Sequence, residues 1–273
     1  MIKKYESIVE VLTPLHTSGN EKTGSTPVLR TVFIQTEYGE IPMPYVSGNS
    51  LRGRLRRYLM IDFLNLLGID PNEISKTMYH SLFSGGALEA GDEGEQVIDL
   101  DFRREFRQKI VPISLFGCSI KNQMIPGKMK VSHLFPICLE YQKFLPPHII
   151  EKVGGLRSIR EYTDEVFFTR RDDLKAKREE DEQAIQMKVD YEVFVPGTKF
   201  YSFFILEYPN EIELSCFARM LKLFELSPFL GGKSNIGDGE VRFDYGLDIT
   251  DEKYLQYVEE NKDEIRKFIK AIS

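Results

Sequence analysis

The sequence predicts an α+β domain, from three features of its pattern. Segments rich in β-branched and aromatic residues alternate irregularly with segments of helical spacing, long insertions interrupt them, and no internal repeat occurs. At 273 residues, the chain is long enough for one large domain with a substantial core. We therefore expect a single domain spanning residues 1–273.

The first part of the chain predicts two strands and a long helix. The strands are expected at residues 5–12 and 32–35, and the helix at residues 51–67. Ser50 is the expected N-cap and Gly68 the expected C-cap. Apolar residues recur along the helix at four-residue spacing, at Leu51, Leu55, Leu59, Phe63 and Leu67.

The rest of the chain predicts further strands, two helices and two insertions. Strands are expected at residues 99–106, 128–139, 198–207 and 240–245, and helices at residues 211–225 and 251–272. A glycine-rich insertion is expected at about residues 79–110. A second insertion, at about residues 167–191, has apolar arms on both sides of a charged tip, which is typical of a long hairpin.

Composition and charge exclude several classes of protein. The net charge of −6 argues against a nonspecific nucleic-acid coat protein, although it does not determine local fields. Three cysteines without CxxC spacing argue against a disulfide framework and a zinc site, and favour a reducing cytosol. No apolar run approaches the roughly 20 residues of a membrane span, and the N-terminus is too polar for a signal peptide.

The helix-start motif, YVSGNSLRGRLRR at residues 45–57, concentrates positive charge where a helix normally carries acids. Its arginines, together with backbone N–H groups of residues 47–50, predict a site for phosphate. The alternative is a solvated helix face whose arginines pair with carboxylates. The expected contacts are Asn49, Ser50, Arg52, Gly53 and Arg56, with Arg54 and Arg57 turned toward acidic neighbours.

The glycine loop, LGGKSNIGDGEV at residues 230–241, is a second candidate site. It contains GGKS, but position 227 holds serine where a P-loop requires glycine, and a helical pattern precedes it. We expect anion contacts from its first residues, Gly231, Gly232, Lys233 and Ser234. The alternative interpretation is an ordinary β-turn.

Two further candidates lie outside these motifs. Arg170 and Arg171 begin the charged tip of the predicted hairpin, which suits insertion between bases but also a solvated hairpin end. His16 lies in the first loop, where it suits RNA contact or acid–base catalysis. The sequence contains no HExxH, GxSxG or Cys/His cluster, so we expect no metal and no cofactor.

These motifs, in this order, resemble those of the RAMP superfamily of CRISPR-associated proteins. The resemblance rests on the loop PLHTSGNEKTG, the helix-start motif, the SLFG segment and the glycine loop, and it spans most of the chain. Within the superfamily the chain is most similar to the type IV version of the backbone subunit, on the segments MYHSLFSGGAL and FTRRDD…YEVFVPGTKF. The type I-D backbone subunit is the next most similar.

The resemblance implies a modified RRM, or ferredoxin-like, antiparallel sheet with a protruding hairpin, the thumb, at about residues 167–191. It implies a non-catalytic subunit that binds guide RNA (crRNA) and polymerises along it as a filament in the cytoplasm. The implied partners are the guide RNA, target nucleic acid paired to it, copies of the same chain and other CRISPR effector subunits.

The family also contains enzymes, which leaves two alternatives. Type III backbone subunits cut target RNA with an aspartate in the loop after the first strand. Here that position falls near Ser25 or Thr26, with Glu21 as the nearest acid, so we expect no target cleavage. Endonucleases that process guide RNA sometimes use a histidine, for which His16 is the candidate.

Overall fold

The structure of the protein is a computed structural model that describes residues 1–23, 26–37, 39–86, 98–171 and 186–272. Its strands, numbered in chain order, are β1 (Ile2–Val11), β2 (Ser18–Thr23), β3 (Thr26–Leu29), β4 (Thr31–Thr36), β5 (Gly39–Pro44), β6 (Gly117–Ile120), β7 (Gln123–Pro126), β8 (Met129–Val131), β9 (Phe135–Pro136), β10 (Thr163–Arg171), β11 (Gln186–Phe194), β12 (Lys199–Glu207) and β13 (Val241–Arg242). Its α-helices are α1 (Gly48–Leu67), α2 (Lys76–Phe83), α3 (Leu100–Lys109), α4 (Val111–Phe116), α5 (Pro147–Val153), α6 (Glu211–Glu225), α7 (Glu252–Glu260) and α8 (Lys262–Ile272). Among these described helices, none combines the length and the apolar character needed to span a membrane.

An antiparallel sheet forms the centre of the fold, with strand order β13–β1–β12–β8 and with β9 also paired to β12. β1 and β12 pair from Ile2 opposite Glu207 to Glu10 opposite Lys199. Leaving aside the elements inserted between them, β1 leads to α1 and then β8, and β12 leads to α6 and then β13. This path of strand, helix, two strands, helix and strand is that of a ferredoxin-like fold. The predicted α+β class is confirmed.

Helices α1 and α6 pack on one face of this sheet. Tyr5 of β1 and Phe204 of β12 point to this face, and both reach the ring of Phe217 in α6, at centroid distances of 5.3 Å. The side chains next to them along each strand point to the opposite face. The predicted apolar ladder of α1 fills the same core, and each of its members is at most 2 % exposed. A capping box between Asn210 and Glu213 starts α6.

The opposite face of the sheet is covered by the segment that leads into and forms α5. Ile8 of β1 and Tyr201 and Phe203 of β12 pack there with Leu145 and Ile149. The sheet therefore differs from that of an RNA-binding RRM, in which aromatic side chains stay open for bases to stack on them.

Helix α1 begins one turn earlier than the sequence predicts. Its N-cap is Ser47 and not Ser50, because the Ser47 side chain accepts a hydrogen bond from the backbone N–H of Asn49. The C-cap is Gly68, as predicted, with a left-handed φ of 64°. The helix predicted at residues 211–225 is confirmed as α6.

Other predicted elements are wrong or shorter. The strand expected at residues 99–106 is the helix α3, because the Asp99 side chain caps it by accepting from the N–H of Phe102 at 2.8 Å. The strand expected at residues 128–139 is divided into β8 and β9, and the one at 240–245 is only β13. The final helix is interrupted at Asn261 and becomes α7 and α8.

The thumb is the hairpin of β10 and β11. Its strands pair from Thr163 opposite Phe194 to Arg171 opposite Gln186, so the hairpin starts before the predicted residue 167 and ends after residue 191. The predicted charged tip begins at Arg170 and Arg171, and residues 172–185, which contain the rest of it, lie outside the described residues. So does the centre of the other predicted insertion, residues 87–97, which α2 and α3 flank.

Arg56 lies in the core, although we expected it on an anion-binding surface. It shares its helix face with Met60, Phe63 and Leu67, and only 4 % of it is exposed. Burial, and secondarily the charge of Arg52, lowers the pKa of Arg56 to about 10. The guanidinium therefore still carries its charge at neutral pH.

The buried guanidinium of Arg56 is held by backbone carbonyl groups. It donates to Leu82, to Ser81 at 2.6 Å and to Gly117 at 3.0 Å. These bonds tie α1 to α2 and to the start of β6, so Arg56 is a structural residue.

Replacing Arg56 by alanine is expected to lower the free energy of unfolding by about 3 to 5 kcal/mol, because three buried carbonyl groups lose a charged donor. Arg57→Ala is the matched control, since Arg57 is the next residue and is exposed. The control should change the free energy by less than about 0.5 kcal/mol. Urea denaturation measures both values, and equal losses would contradict the inward orientation of Arg56.

Candidate nucleic-acid interface

The first turn of α1 is pressed against the chain that follows β8. A Cβ atom on Gly48 would lie 2.3 Å from the carbonyl oxygen of Ser132, so this position requires glycine. The N–H of Gly48 donates to Nδ1 of His133 at 3.0 Å. These contacts fix where the helix starts.

The backbone N–H groups of this turn already have partners. That of Asn49 donates to Oγ of Ser47, and those of Ser50 and Leu51 donate to the Ser47 carbonyl oxygen. The expected contribution of backbone N–H groups to an anion site is therefore not met at residues 48–50. An anion at this position has to be held by side chains.

One face of α1 turns toward solvent and is cationic. It carries Asn49, Ser50, Gly53, Arg54 and Arg57, at the three- and four-residue spacing of one helix side. No acidic residue lies in the first turn, so the positive end of the helix dipole is not neutralised locally. Within the described residues, the side chains of Asn49, Ser50 and Arg57 make no hydrogen bond or ion pair. Such free donors suit the oxygens of phosphate.

Two of the arginines expected on this face lie elsewhere. Arg52 is half-buried, donates to the carbonyl oxygen of Phe116 and lies over the Phe116 ring, 5.6 Å from its centroid. Burial lowers the pKa of Arg52. Arg56 is buried on the core side, so it cannot contact RNA. Arg54 and Arg57, expected near acidic neighbours, occupy the solvent-facing side instead.

The glycine loop lies beside this face. Arg54 donates to the Gly231 carbonyl oxygen at 3.3 Å. Gly231 has a φ of +69°, and a Cβ atom on it would lie 2.2 Å from the carbonyl oxygen of His16. The N–H of Gly232 donates to that same oxygen at 3.0 Å. Close backbone packing therefore fixes the loop against the first loop of the chain, with Gly232 and Ser234 exposed.

A cavity of 170 Å³ separates the glycine loop from the start of α1. Its lining contains four hydroxyl groups, one guanidinium and no carboxylate: Thr17, Ser18, Arg30, Ser47, Ser50, Gly231 and Gly232. In the described part of the chain, the Arg30 side chain has neither a hydrogen bond nor an ion pair. A guanidinium among hydroxyls is a suitable environment for one phosphate group.

His16 is buried, with 3 % of its surface exposed, and both ring nitrogens are engaged. Nδ1 lies 2.6 Å from the carbonyl oxygen of Glu192 and Nε2 lies 3.2 Å from Oγ of Ser18. The carbonyl oxygen can only accept, so Nδ1 carries the proton of that hydrogen bond. His16 ties the first loop to β11, which leaves neither ring nitrogen free for the side-chain contact with RNA that the sequence predicts.

Lys233 joins the glycine loop to the base of the thumb. Its Nζ lies 3.8 Å from the ring centroid of Tyr191 and 4.4 Å from that of Phe168. The Tyr191 hydroxyl donates to the buried Asp238 at 2.7 Å. Burial, and then Asp238, raises the pKa of Tyr191 to about 12, so its hydroxyl keeps the donated proton at neutral pH.

The roles of several predicted residues stay predictions. The side chains of Arg170, Arg171 and Glu21 lie outside the described residues, as does Ser25, and Thr26 begins β3. Among the residues that the structure describes, no cluster of three or more His, Cys, Asp or Glu side chains is arranged to hold a metal ion.

Little in the sequence indicates that Arg30 lines the cavity. It reaches the cavity through backbone pairing, in which its N–H donates to Thr17 and its carbonyl accepts from Tyr45. No local motif encodes this placement. The outward orientation of Arg57, in contrast, follows from the apolar ladder of α1, because residue 57 lies on the side that the ladder leaves free.

Comparisons with known proteins agree with this architecture. A protein-family model described as the RAMP superfamily matches residues 8–242. A search of curated proteins finds no significant match. Among solved structures, a chain from a structure described as a type IV-B CRISPR complex is similar in fold, with a TM-score of 0.64 and 19 % sequence identity. The match covers 89 % of this chain and 90 % of that chain.

The family match extends over 235 of the 273 residues, from β1 to β13. It includes the start of α1, the thumb and the glycine loop, which are the parts that form the candidate interface. The predicted resemblance is thus confirmed at the level of the family, and the chain belongs to the RAMP superfamily.

Proposed function

We propose that this protein is an RNA-binding subunit of a CRISPR effector complex and that it holds the backbone of the guide RNA. The observation that carries the proposal is the solvent-facing side of α1, where Arg54 and Arg57 lie beside the glycine loop and the cavity lined by Arg30. Membership of the RAMP superfamily and similarity in fold to a chain of a type IV-B CRISPR complex support it.

The chemistry of this face suits phosphate rather than base edges. Guanidinium, amide and hydroxyl groups bind phosphate oxygens without distinguishing sequences. The covered second face of the sheet supports the same interpretation, because Tyr201 and Phe203 are packed against the α5 segment. In this proposal, sequence specificity comes from pairing between the guide and a target nucleic acid.

We also propose that copies of the subunit bind successively along one guide RNA as a filament, together with other effector subunits in the cytoplasm. The junction at Lys233 supports this part of the proposal, because it joins the glycine loop to the rings of Phe168 and Tyr191 at the thumb base. A contact between the thumb and a neighbouring copy would then be coupled to the RNA-binding surface.

The proposed role is binding without cleavage. A general base must reach the proton that it removes, and the burial of His16 with both ring nitrogens bonded supports a structural role for this residue. Incubation with repeat RNA in EDTA tests this part. A site-specific cut that His16→Ala abolishes would contradict the proposal and favour a metal-independent endonuclease.

Arg30→Ala and Arg57→Ala are each expected to weaken binding of single-stranded RNA about tenfold at low salt, equally for unrelated sequences, because phosphate contacts do not read bases. Each should also reduce the slope of log affinity against log salt by about 0.7. Fluorescence anisotropy over a salt series measures both quantities.

Arg266→Ala is the matched control for this series. Arg266 donates to the Gly68 carbonyl at the other end of α1, about 30 Å from the helix start for 20 residues at 1.5 Å each. Its affinity should equal that of the unaltered protein. An equal loss in the control, or a loss that depends on RNA sequence, would contradict the proposed phosphate site.

Gly53→Ala is expected to separate folding from binding. Beyond the backbone of its own helix, a Cβ atom on Gly53 would have Nη1 of Arg57 as its nearest neighbour, at 4.0 Å, so alanine fits. The free energy of unfolding should rise by about 1 kcal/mol through helix propensity. RNA affinity should fall several-fold, because the added methyl group lies where the RNA backbone approaches this face of the helix.

Asn65→Ala, on an exposed position near the end of the same helix, is the control for the propensity effect. It should leave RNA affinity unchanged. Thermal unfolding and anisotropy are measured for both variants. If Gly53→Ala bound RNA as tightly as Asn65→Ala, the RNA would not cross α1 at Gly53.

A further inference from the structure

A cleft of 740 Å³ lies at the end of α6 that is remote from the glycine loop. Its lining includes Leu100, Arg103 and Arg107 of α3, Ile212 of α6 and Tyr257 of α7. Its volume is in the range of clefts that bind small molecules or short segments.

This cleft is separate from the candidate RNA interface. It contacts Asn210 and Glu213 at the N-terminal end of α6, whereas the glycine loop follows the C-terminal end. With 15 residues at 1.5 Å each, α6 keeps the two regions about 22 Å apart. The two linings share no residue.

The cleft carries positive charge that the protein neutralises only in part. Lys109 pairs with Glu264, and Lys128 pairs with Glu213 at 2.7 Å. Three arginines on one helix, Arg103, Arg104 and Arg107, have no close carboxylate partner in the described chain. Asp101 is 3.9 Å from Arg104 and both are highly exposed, while Arg103 donates to the side-chain oxygen of Gln123 at 3.0 Å.

One of these arginines also has an unsatisfied buried atom. Nε of Arg107 is buried and has no hydrogen-bond partner, while another nitrogen of the same guanidinium donates to the Pro126 carbonyl oxygen. A buried donor without a partner costs free energy.

Apolar surface accompanies these charges. Leu100 is 67 % exposed at the mouth of the cleft, and Val111 and Ile212 line it together with the ring of Tyr257. Arginines around an apolar lining favour a ligand that is both acidic and apolar.

We infer that this cleft binds an acidic protein segment that inserts apolar side chains between α3 and the start of α6. RNA fits less well, because its phosphates would meet the apolar part of the lining, formed by Val111, Ile212 and Tyr257. The inference goes beyond the proposed function and does not depend on it, since peptide binding and RNA binding are measured separately.

A short fluorescent peptide of glutamate and leucine is the probe, with an all-glutamate peptide and a single-stranded RNA for comparison. The glutamate–leucine peptide should bind the full chain at low salt, and the all-glutamate peptide about tenfold more weakly, because it lacks apolar anchors. The variant Arg103→Glu/Arg104→Glu should weaken peptide binding at least about tenfold. Arg157→Glu/Arg160→Glu, the same charge change at exposed positions outside the cleft, should not weaken it.

Arg104→Glu alone provides a second variant, because the Arg104 side chain is 73 % exposed and we expect its replacement to leave the fold intact. It should weaken peptide binding in the same direction. Failure of the peptide to bind, or equal binding by the cleft and control variants, would overturn the inference. So would RNA binding that the cleft variant abolishes, or self-association through the cleft in sedimentation, which would identify RNA or a second copy as its occupant.

Discussion

The fixed orientation of helix α1 about its own axis is the constraint on which the candidate interface depends. Leu51, Leu55 and Leu59 are buried against the sheet, and this fixes the direction of every other side chain on the helix. Arg56 falls on the core side and is accommodated only because backbone carbonyl groups accept its donors. Arg54 and Arg57 fall on the solvent side. The same packing that stabilises the domain therefore selects which arginines remain for a ligand.

Backbone contacts between loops complete the interface. The carbonyl oxygen of His16 approaches Gly231 too closely for any side chain and accepts from Gly232, so the glycine loop, the first loop and the start of α1 surround one cavity. Lys233 extends this assembly to the thumb base. A chain with a net charge of −6 can thus present a local cationic surface, because local placement and not net charge determines the field there.

Much of the fold was predictable from the sequence. The apolar ladder, Gly68 and the β-rich stretch before residue 208 each specify their element locally. The strand predicted at residues 99–106 was wrong, because their apolar positions fit a strand while Asp99 in fact caps a helix. Covering of the second sheet face was not predictable, since it depends on contacts between β12 and the distant α5 segment.

The candidate site was predictable in place but not in its individual residues. The helix-start motif and the glycine loop do meet. The prediction placed Arg52 and Arg56 on the binding face in place of Arg54 and Arg57, although the apolar ladder of α1 already determines which side of the helix faces solvent. His16 is essential to the site's geometry through its carbonyl oxygen, although its side chain is buried. The position of Arg30 in the lining of the cavity depends on tertiary backbone pairing alone.

Ultraviolet cross-linking of a uridine-rich single-stranded RNA to the protein, followed by mass spectrometry of the peptides, tests the proposed RNA-binding surface most directly. We expect cross-links in residues 45–57 of the helix start and residues 229–241 of the glycine loop. Cross-links confined to β12 and α5, or to the cleft between α3 and α6, would contradict the proposed surface.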